Sequence, residues 1–376
     1  MRNTIYRYFF KEFISIFALI LISITVIVWI VQAVNYLDFV TEDGHAFGVY
    51  FTYSILNIPK VINRLIPLVF LISLLVTILR FENSNELLIF WTSGLNKIRI
   101  VNFIIIISIL ITLFQLSLSL VVTHSSLNFA RSILKSSSVS LFPSLVKEKK
   151  FNDTVKNLTV FVEKKKNNGE MLNIFLRDDS SIVERSKTII AKNGYIIKRN
   201  EKNILVLYNG TIQTEKKNNK INFINFNRTE INLSSFSTKT TTYPKIQEND
   251  TLSLLNCIKP FLDESKTIIK KFQCRARIDD IISELNRRLM MPFYIPFISI
   301  IICYLLSSGK ESKYYLLKKY IVFIVAFSVL VFAEIMVRYS GQSILYSAAY
   351  YLLPPSLILL NYLYLTKIFK YENLGK

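Results

Sequence analysis

Apolar residues in this chain gather into six long blocks, three before residue 123 and three after residue 288, with a polar, alternating stretch between them. Residues 13–34, 100–122, 289–308 and 340–366 run for 22, 23, 20 and 27 positions without a charged side chain. A helix crosses the hydrocarbon core with roughly 20 apolar residues, so each block predicts a membrane span. Residues 54–79 and 316–337 predict two more, although the first holds Lys60 and Arg64 and the second Lys318, Lys319 and Glu334. The first block follows Arg2, Arg7 and Lys11 as a secretion leader would. Its length and the lack of a small-residue cleavage site after it predict an uncleaved helix instead.

The middle of the chain reads as β structure. Short apolar runs at 159–163 and 172–176 flank a lysine-rich turn ending in Asn168-Gly169, which is a hairpin signal. Further runs at 188–191, 195–198, 204–208, 211–214, 221–226 and 230–233 are punctuated by Asn193-Gly194 and Asn209-Gly210. This pattern predicts at least seven short strands in a sandwich or jelly roll, with no long helix in 151–243. From Leu252 the period becomes helical: Ile278, Ile281, Ile282, Leu285 and Leu289 predict a helix that runs directly into the fourth span. The second span carries Pro59 and Pro67, which predict a kink. The loop after it holds a short amphipathic run at 87–91, too short to span and suited to a helix lying along the membrane surface. The expected organisation is three spans in 1–122 with a surface helix around 82–99, a β domain with a connecting helix in 123–288, and three spans in 289–376.

Charge orients this arrangement. With the N-terminus inside, the inner segments 1–12, 80–99, 309–319 and 367–376 hold 13 Lys and Arg, whereas the outer loops 35–53 and 338–342 hold only Arg338. Short-loop bias of this size places both termini in the cytoplasm and the β domain outside, in the periplasm of a bacterium. The first outer loop carries Asp38, Glu42 and Asp43 instead. The net charge is +20, and residues 123–288 contribute 30 basic against 17 acidic groups. That compartment sets nucleic acid aside as a partner. An anionic lipid and a simple compositional bias towards Lys, Asn and Ile both account for the excess. Of three cysteines, Cys303 falls in a span; Cys257 and Cys274 could pair in an oxidising compartment, although 16 residues of helix between two cysteines usually hold them apart.

Bond-making chemistry is hard to find. The chain has no GxxxxGK[ST] loop, and Ser308-Gly309-Lys310 lacks the earlier glycine and strand that one needs. His45 and His124 have no metal-ligand neighbours and read as polar residues at the membrane boundary. Ionisable groups inside spans are better candidates, because placing one in lipid costs at least ~2.5 kcal/mol. Lys60 and Arg64 lie one turn apart on one face of the second span, Glu334 and Arg338 stand in the same relation in the fifth, and Arg287 and Arg288 sit where the connecting helix enters the bilayer. Two readings stand for these bases: an outer-leaflet ring gripping phosphate or carboxylate headgroups, or snorkelling side chains with a Glu334–Arg338 pair. Glu86, acidic in a basic inner loop, is either a docking contact for a soluble partner or a solvated acid favoured at a helix start.

Several stretches resemble one family. Ile66-Pro67-Leu-Val-Phe-Leu-Ile-Ser-Leu-Leu, then Asn85-Glu86-Leu with Gly94 beyond, is similar to the lipopolysaccharide-export permeases (LptF/LptG, also called YjgP/YjgQ). So are Ala191-Lys-Asn-Gly194 with Leu205-Val-Leu-Tyr-Asn-Gly210, and Glu284-Leu-Asn-Arg-Arg-Leu-Met-Met-Pro292 at the fourth span. The resemblance implies a non-catalytic subunit with six transmembrane helices and an inserted periplasmic jelly roll. It implies a heterodimer with an LptG-like permease, docked on an LptB-like ATPase dimer that binds the ATP and Mg. An LptC-like single-span protein and an LptA-like bridge complete the assembly. Such a machine extracts lipopolysaccharide from the inner membrane and hands it to the bridge, driven through a coupling helix at whose positions Glu86 and Gly94 fall. It would close a cavity lined by the first, second and fifth spans. The run Ile5-Tyr6-Arg7-Tyr8 favours the LptF-like member. So does Val31-Gln32-Ala33-Val34-Asn35, which has no base where LptG-like members bind lipid through lysines; this shifts headgroup contact to Arg64 and Arg338.

Two other classes fit the chain less well. A membrane-anchored sensor or scaffold needs a cytoplasmic effector or docking tail, and the longest inner segment is the loop at 80–99. Lipoprotein-releasing permeases usually have four spans with the domain after the first, which the three-plus-three layout does not match.

Overall fold

Among the described residues, six helices are long and apolar enough to cross a membrane: Thr4–Asn35, Phe47–Asn83, Lys97–Leu134, Ile278–Ser307, Tyr315–Tyr339 and Leu345–Lys370. This computed structural model describes residues 2–41, 46–140, 148–155, 157–166, 169–179, 184–199, 202–216, 221–233, 245–262, 278–307 and 315–374. Glu42, Asp43, His45, Asn168, Cys274 and Ser308-Gly309-Lys310 lie outside them. The chain forms two compact units, one of Met1–Ile30, Asn57–Leu127 and Lys245–Lys376, the other of Val31–Leu56 and Asn128–Pro244.

In the helical unit, α1 (Arg2–Asn35) starts well before the apolar block, because a helix outside lipid needs no apolar composition. Its first third packs through Phe9, Phe13 and Phe17, at i, i+4 and i+8. Phe9 stacks on Phe81 at 5.3 Å and Phe13 meets Phe70 edge-on at 5.7 Å. The second span is broken. After α2 (Asp38–Thr41), α3 (Phe47–Leu56) ends and α4 (Ile58–Asn83) begins with Pro59 in its first turn, where the missing N–H leaves no bond unmade. Pro59 therefore starts a helix, and only Pro67 sits inside one. Next come α5 (Glu86–Thr92) and α6 (Lys97–Ser117), which passes through a π turn at Leu118–Val122 into α7 (Thr123–Ser140).

After the insertion, α8 (Thr251–Leu262) and the amphipathic α9 (Ile278–Met290) lead to α10 (Tyr294–Cys303), then α11 (Tyr315–Tyr339) and α12 (Ile344–Leu374). The connecting helix does not run straight into the fourth span. Pro292 interrupts it in a 3-10 turn at Met291–Phe293. Every residue of α10 is buried, as an all-round apolar helix demands, and α4, α6, α11 and α12 surround it. Cys257 is disulfide-bonded and Cys303 is free and buried. The disulfide at Cys257 goes against the expectation that helix would hold that thiol apart from a partner, and Cys274 itself lies outside the described residues.

The second unit is built on one six-stranded antiparallel meander: β1 (Phe151–Val155), β2 (Leu158–Lys165), β3 (Met171–Asp178), β4 (Glu184–Arg199), β5 (Lys202–Lys216) and β6 (Ile221–Asn232). Leu158, Val160, Val162, Ile174, Leu176, Leu205 and Leu207 form its apolar face. The β2–β3 hairpin turns through Gly169 at φ +84. Pairs of expected short strands are fused into β4, β5 and β6, because Asn193-Gly194 and Asn209-Gly210 are not turns. Gly210 pairs with Ala191, and a Cβ there would lie 2.1 Å from the Ile190 carbonyl oxygen. One on Gly194 would lie 2.7 Å from Leu207 Cδ2. These glycines allow close approach of neighbouring strands. Paired positions skip Glu163/Asn173, Asn173/Lys192, Lys192/Asn209 and Asn209/Asn227, so one line of interrupted ladder crosses β2 to β6. Asn173 (φ +47) and Asn209 (φ +49) take the left-handed conformation on that line, and the register is unchanged on either side of it.

Candidate functional site

The second to fifth spans line a half-open cavity of about 310 Å³ in the helical unit. From α4 come Lys60, Asn63, Arg64 and Pro67; from the third span, Gln115, Ser119 and Thr123; from α9, Glu284, Arg287 and Arg288; from α11, Leu330, Val331 and Glu334. The first span, expected to share in a cavity, contributes no residue to this one among the described residues. The i, i+4 spacing that placed Lys60 and Arg64 on one face does bring both to this wall. The π turn displaces Ser119 relative to a regular helix, and Thr123 Oγ1 donates to the Leu118 carbonyl at 2.9 Å, taking up the wider spacing.

Four bases face two acids here. Arg288 pairs with Glu284 at 3.0 Å and Arg287 with Glu334 at 2.9 Å. Lys60 and Arg64 have no ion pair among the described residues, so the cavity carries uncompensated positive charge. Glu334 thus joins α9 and not Arg338, its i, i+4 neighbour. Arg338 is exposed at the end of α11 and does not line the cavity. Arg288 is 4% exposed, and its five N–H groups serve Glu284, Thr251 and the carbonyls of Ile246, Gln247 and Asn249. It is a structural rivet. Arg287 is partly free, because its Nε has no acceptor among the described residues. Cations beside apolar walls can hold an anionic amphiphile by its head.

Sequence reasoning missed Asn63 and Gln115. The Oδ1 of the first and the Oε1 of the second are buried and accept no hydrogen bond among the described residues. A glutamine within a 23-residue charge-free block was the available signal. His124, expected at a boundary, lies with Nε2 3.2 Å from Asp250 Oδ1.

At the other end of the bundle, α5 stands between two left-handed residues, Asn85 at φ +59 and Gly94 at φ +82. Glu86 opens it and accepts a hydrogen bond from Ser84 Oγ at 2.8 Å. Leu87 and Phe90 are buried, with Phe90 against Phe81 at 5.8 Å, whereas Leu88 and Ile89 are more than 60% exposed. The Tyr315 hydroxyl donates to Glu82, joining the start of α11 to the end of α4.

The sequence model of the family described as "Lipopolysaccharide export system permease LptF/LptG" matches residues 7–368, through both helical blocks and the insertion. The chain belongs to the LptF/LptG family. As an LptF/LptG permease it is a multi-pass membrane protein, and the family is one of lipopolysaccharide-export permeases. A protein of Rickettsia prowazekii (strain Madrid E), named "Uncharacterized protein RP871", is 24% identical over 291 residues, 77% of each chain.

Proposed function

We propose that the chain is one permease subunit of an ABC transporter that draws lipopolysaccharide out of the inner membrane and passes it towards a periplasmic bridge. The observation that carries this is the family match over 7–368, joined to a cavity with unpaired Lys60 and Arg64 in the helical unit. Phosphate groups of the lipid would meet Lys60, Arg64 and the partly free Arg287. We place the termini in the cytoplasm and the β domain in the periplasm. The 13 basic residues of the inner segments support this, as does a disulfide at Cys257, a bond kept in oxidising compartments. Ile5-Tyr6-Arg7-Tyr8 and the base-free Val31-Gln32-Ala33-Val34-Asn35 support the LptF-like member.

In this reading a separate ATPase dimer supplies the energy and docks on α5, with Glu86 at the contact and Gly94 fixing the helix end. Force on α5 would pass through Phe90–Phe81 to α4 and through Glu82–Tyr315 to α11, two of the helices that wall the cavity. Affinity capture of the full chain in mild detergent tests this. It should bring down a second six-span homologue and a small ATPase. Glu86→Lys should lose the ATPase and keep the homologue. Capture of the wild-type chain alone would sink the reading.

A further inference from the structure

Pro67 has no N–H to give the carbonyl of Asn63, four residues earlier in α4. A carbonyl left bare inside a bundle is unfavourable, and another helix supplies the donor: Gln115 Nε2 reaches Asn63 O at 3.0 Å. The third span does the same one turn away. Pro296 cannot serve the carbonyl of Pro292, and Thr112 Oγ1 lies 3.3 Å from that oxygen while also bonding Ser108 O at 2.8 Å. The geometry at Pro67 is the firmer of the two, because the amide donates there without sharing its proton.

Gln115 also has a second face. It is 3% exposed, lines the cavity, and its Oε1 accepts nothing among the described residues. One planar amide therefore touches the backbone carbonyl that Pro67 leaves without its helical donor on one side and the cavity on the other. We propose that Gln115 is the positioning residue through which an occupant of the cavity sets the bend at Pro67. This rests on the reading that the cavity takes the headgroup of the exported lipid. A hydroxyl or amide of the sugar head donates to Gln115 Oε1 while its phosphate meets Lys60 and Arg64. Donation to Oε1 polarises the amide and strengthens Nε2–H to Asn63 O, as in any hydrogen-bonded chain. The occupied cavity thus fixes the kink, and the emptied one leaves it looser.

The test is a four-variant set in the assembled complex: wild type, Gln115→Met, Pro67→Ala and the double. Pro67→Ala gives Asn63 O its own helical donor back, so the glutamine becomes redundant there. Gln115→Met should lower the thermal midpoint in the Pro67 background and leave it unmoved beside Pro67→Ala. If Gln115→Met alone fails to fold, recovery in the double variant reports the same coupling. An equal loss in both backgrounds overturns the proposal. Spin labels at Ile62, before the proline, and Ile335 of α11 then read the bend with purified lipopolysaccharide. The wild-type spacing should change on binding. Gln115→Met should bind about tenfold more weakly, one lost hydrogen bond to a buried acceptor, and show no change at saturation. A spacing change that survives Gln115→Met overturns the proposal. No binding to wild type overturns the lipid reading and the coupling with it, and the midpoint cycle then shows separately whether the backbone clamp exists.

Discussion

Arg288→Met is expected to destabilise the helical unit by about 3–5 kcal/mol, the usual result of breaking a buried ion pair from one side. Its guanidinium bonds Glu284 Oε1 at 3.0 Å, Asn249 O and Thr251 Oγ1 at 3.0 Å, Gln247 O at 3.1 Å and Ile246 O at 3.4 Å. These contacts staple the chain re-entering from the insertion onto α9. Removing the cation strands a carboxylate that is 13% exposed and three carbonyls together. Lysine cannot stand in, since one ammonium has three donors and no planar fork. Arg288→Met with Glu284→Met should lose less than Arg288→Met alone, because no orphaned charge remains. Denaturant unfolding of the purified protein reads all three. A single variant within 1 kcal/mol of wild type, on the scale of an exposed ion pair, would show that Arg288 is no rivet. Lys60→Met, which breaks no ion pair, is the control.

All six spans were legible in sequence because lipid imposes one requirement: every backbone group must bond within the helix across some 20 apolar residues. What lies beyond the bilayer was less so. α7 continues to Ser140, and its Leu127, Ala130 and Leu134 are buried at helical spacing, yet residues 123–140 look polar when averaged. The strands were found but cut too short. Asn-Gly inside an alternating run signals a hairpin only when both residues turn left-handed. Here Asn209 does so alone, and Gly210 is small because Ile190 O approaches it.

For the site, local spacing found the cations and missed what they face. Lys60 and Arg64 needed only the helical period. Glu334 had a candidate at i+4 and took one 47 residues away, on α9. Gln115 was invisible for a related reason: its acceptor is a backbone carbonyl 52 residues away, freed by a proline in another span. Pro67 announced an orphaned carbonyl, and only the packing of α6 on α4 says who serves it.

Gly341→Ala is expected to be more disruptive than its single methyl suggests. Gly341 lies between α11 and α12, and a Cβ there would stand 2.0 Å from the Asp279 carbonyl oxygen and 2.6 Å from Ser283 Oγ. Ser283 can rotate away, but the backbone of α9 cannot without shifting the whole helix. That shift strains the buried contacts beneath it, where Asn286 Nδ2 donates to Ser340 Oγ at 2.8 Å and Tyr351 donates to Asn286 Oδ1 at 2.8 Å. It also carries Glu284 and Arg287 away from the cavity wall and opens the Arg287–Glu334 pair. Overpacking of this kind costs about 1–3 kcal/mol, and more where a main chain must move. The thermal midpoint should therefore fall for Gly341→Ala, and lipopolysaccharide affinity should fall with it if the proposed site is right, because α9 supplies part of that cavity wall. Gly48→Ala makes the matched control: no atom lies within 4 Å of its Cβ, and alanine is favoured over glycine inside a helix such as α3. If both alanine variants melt and bind alike, α9 is not held by the α11–α12 turn, and the cavity wall owes its position to something else.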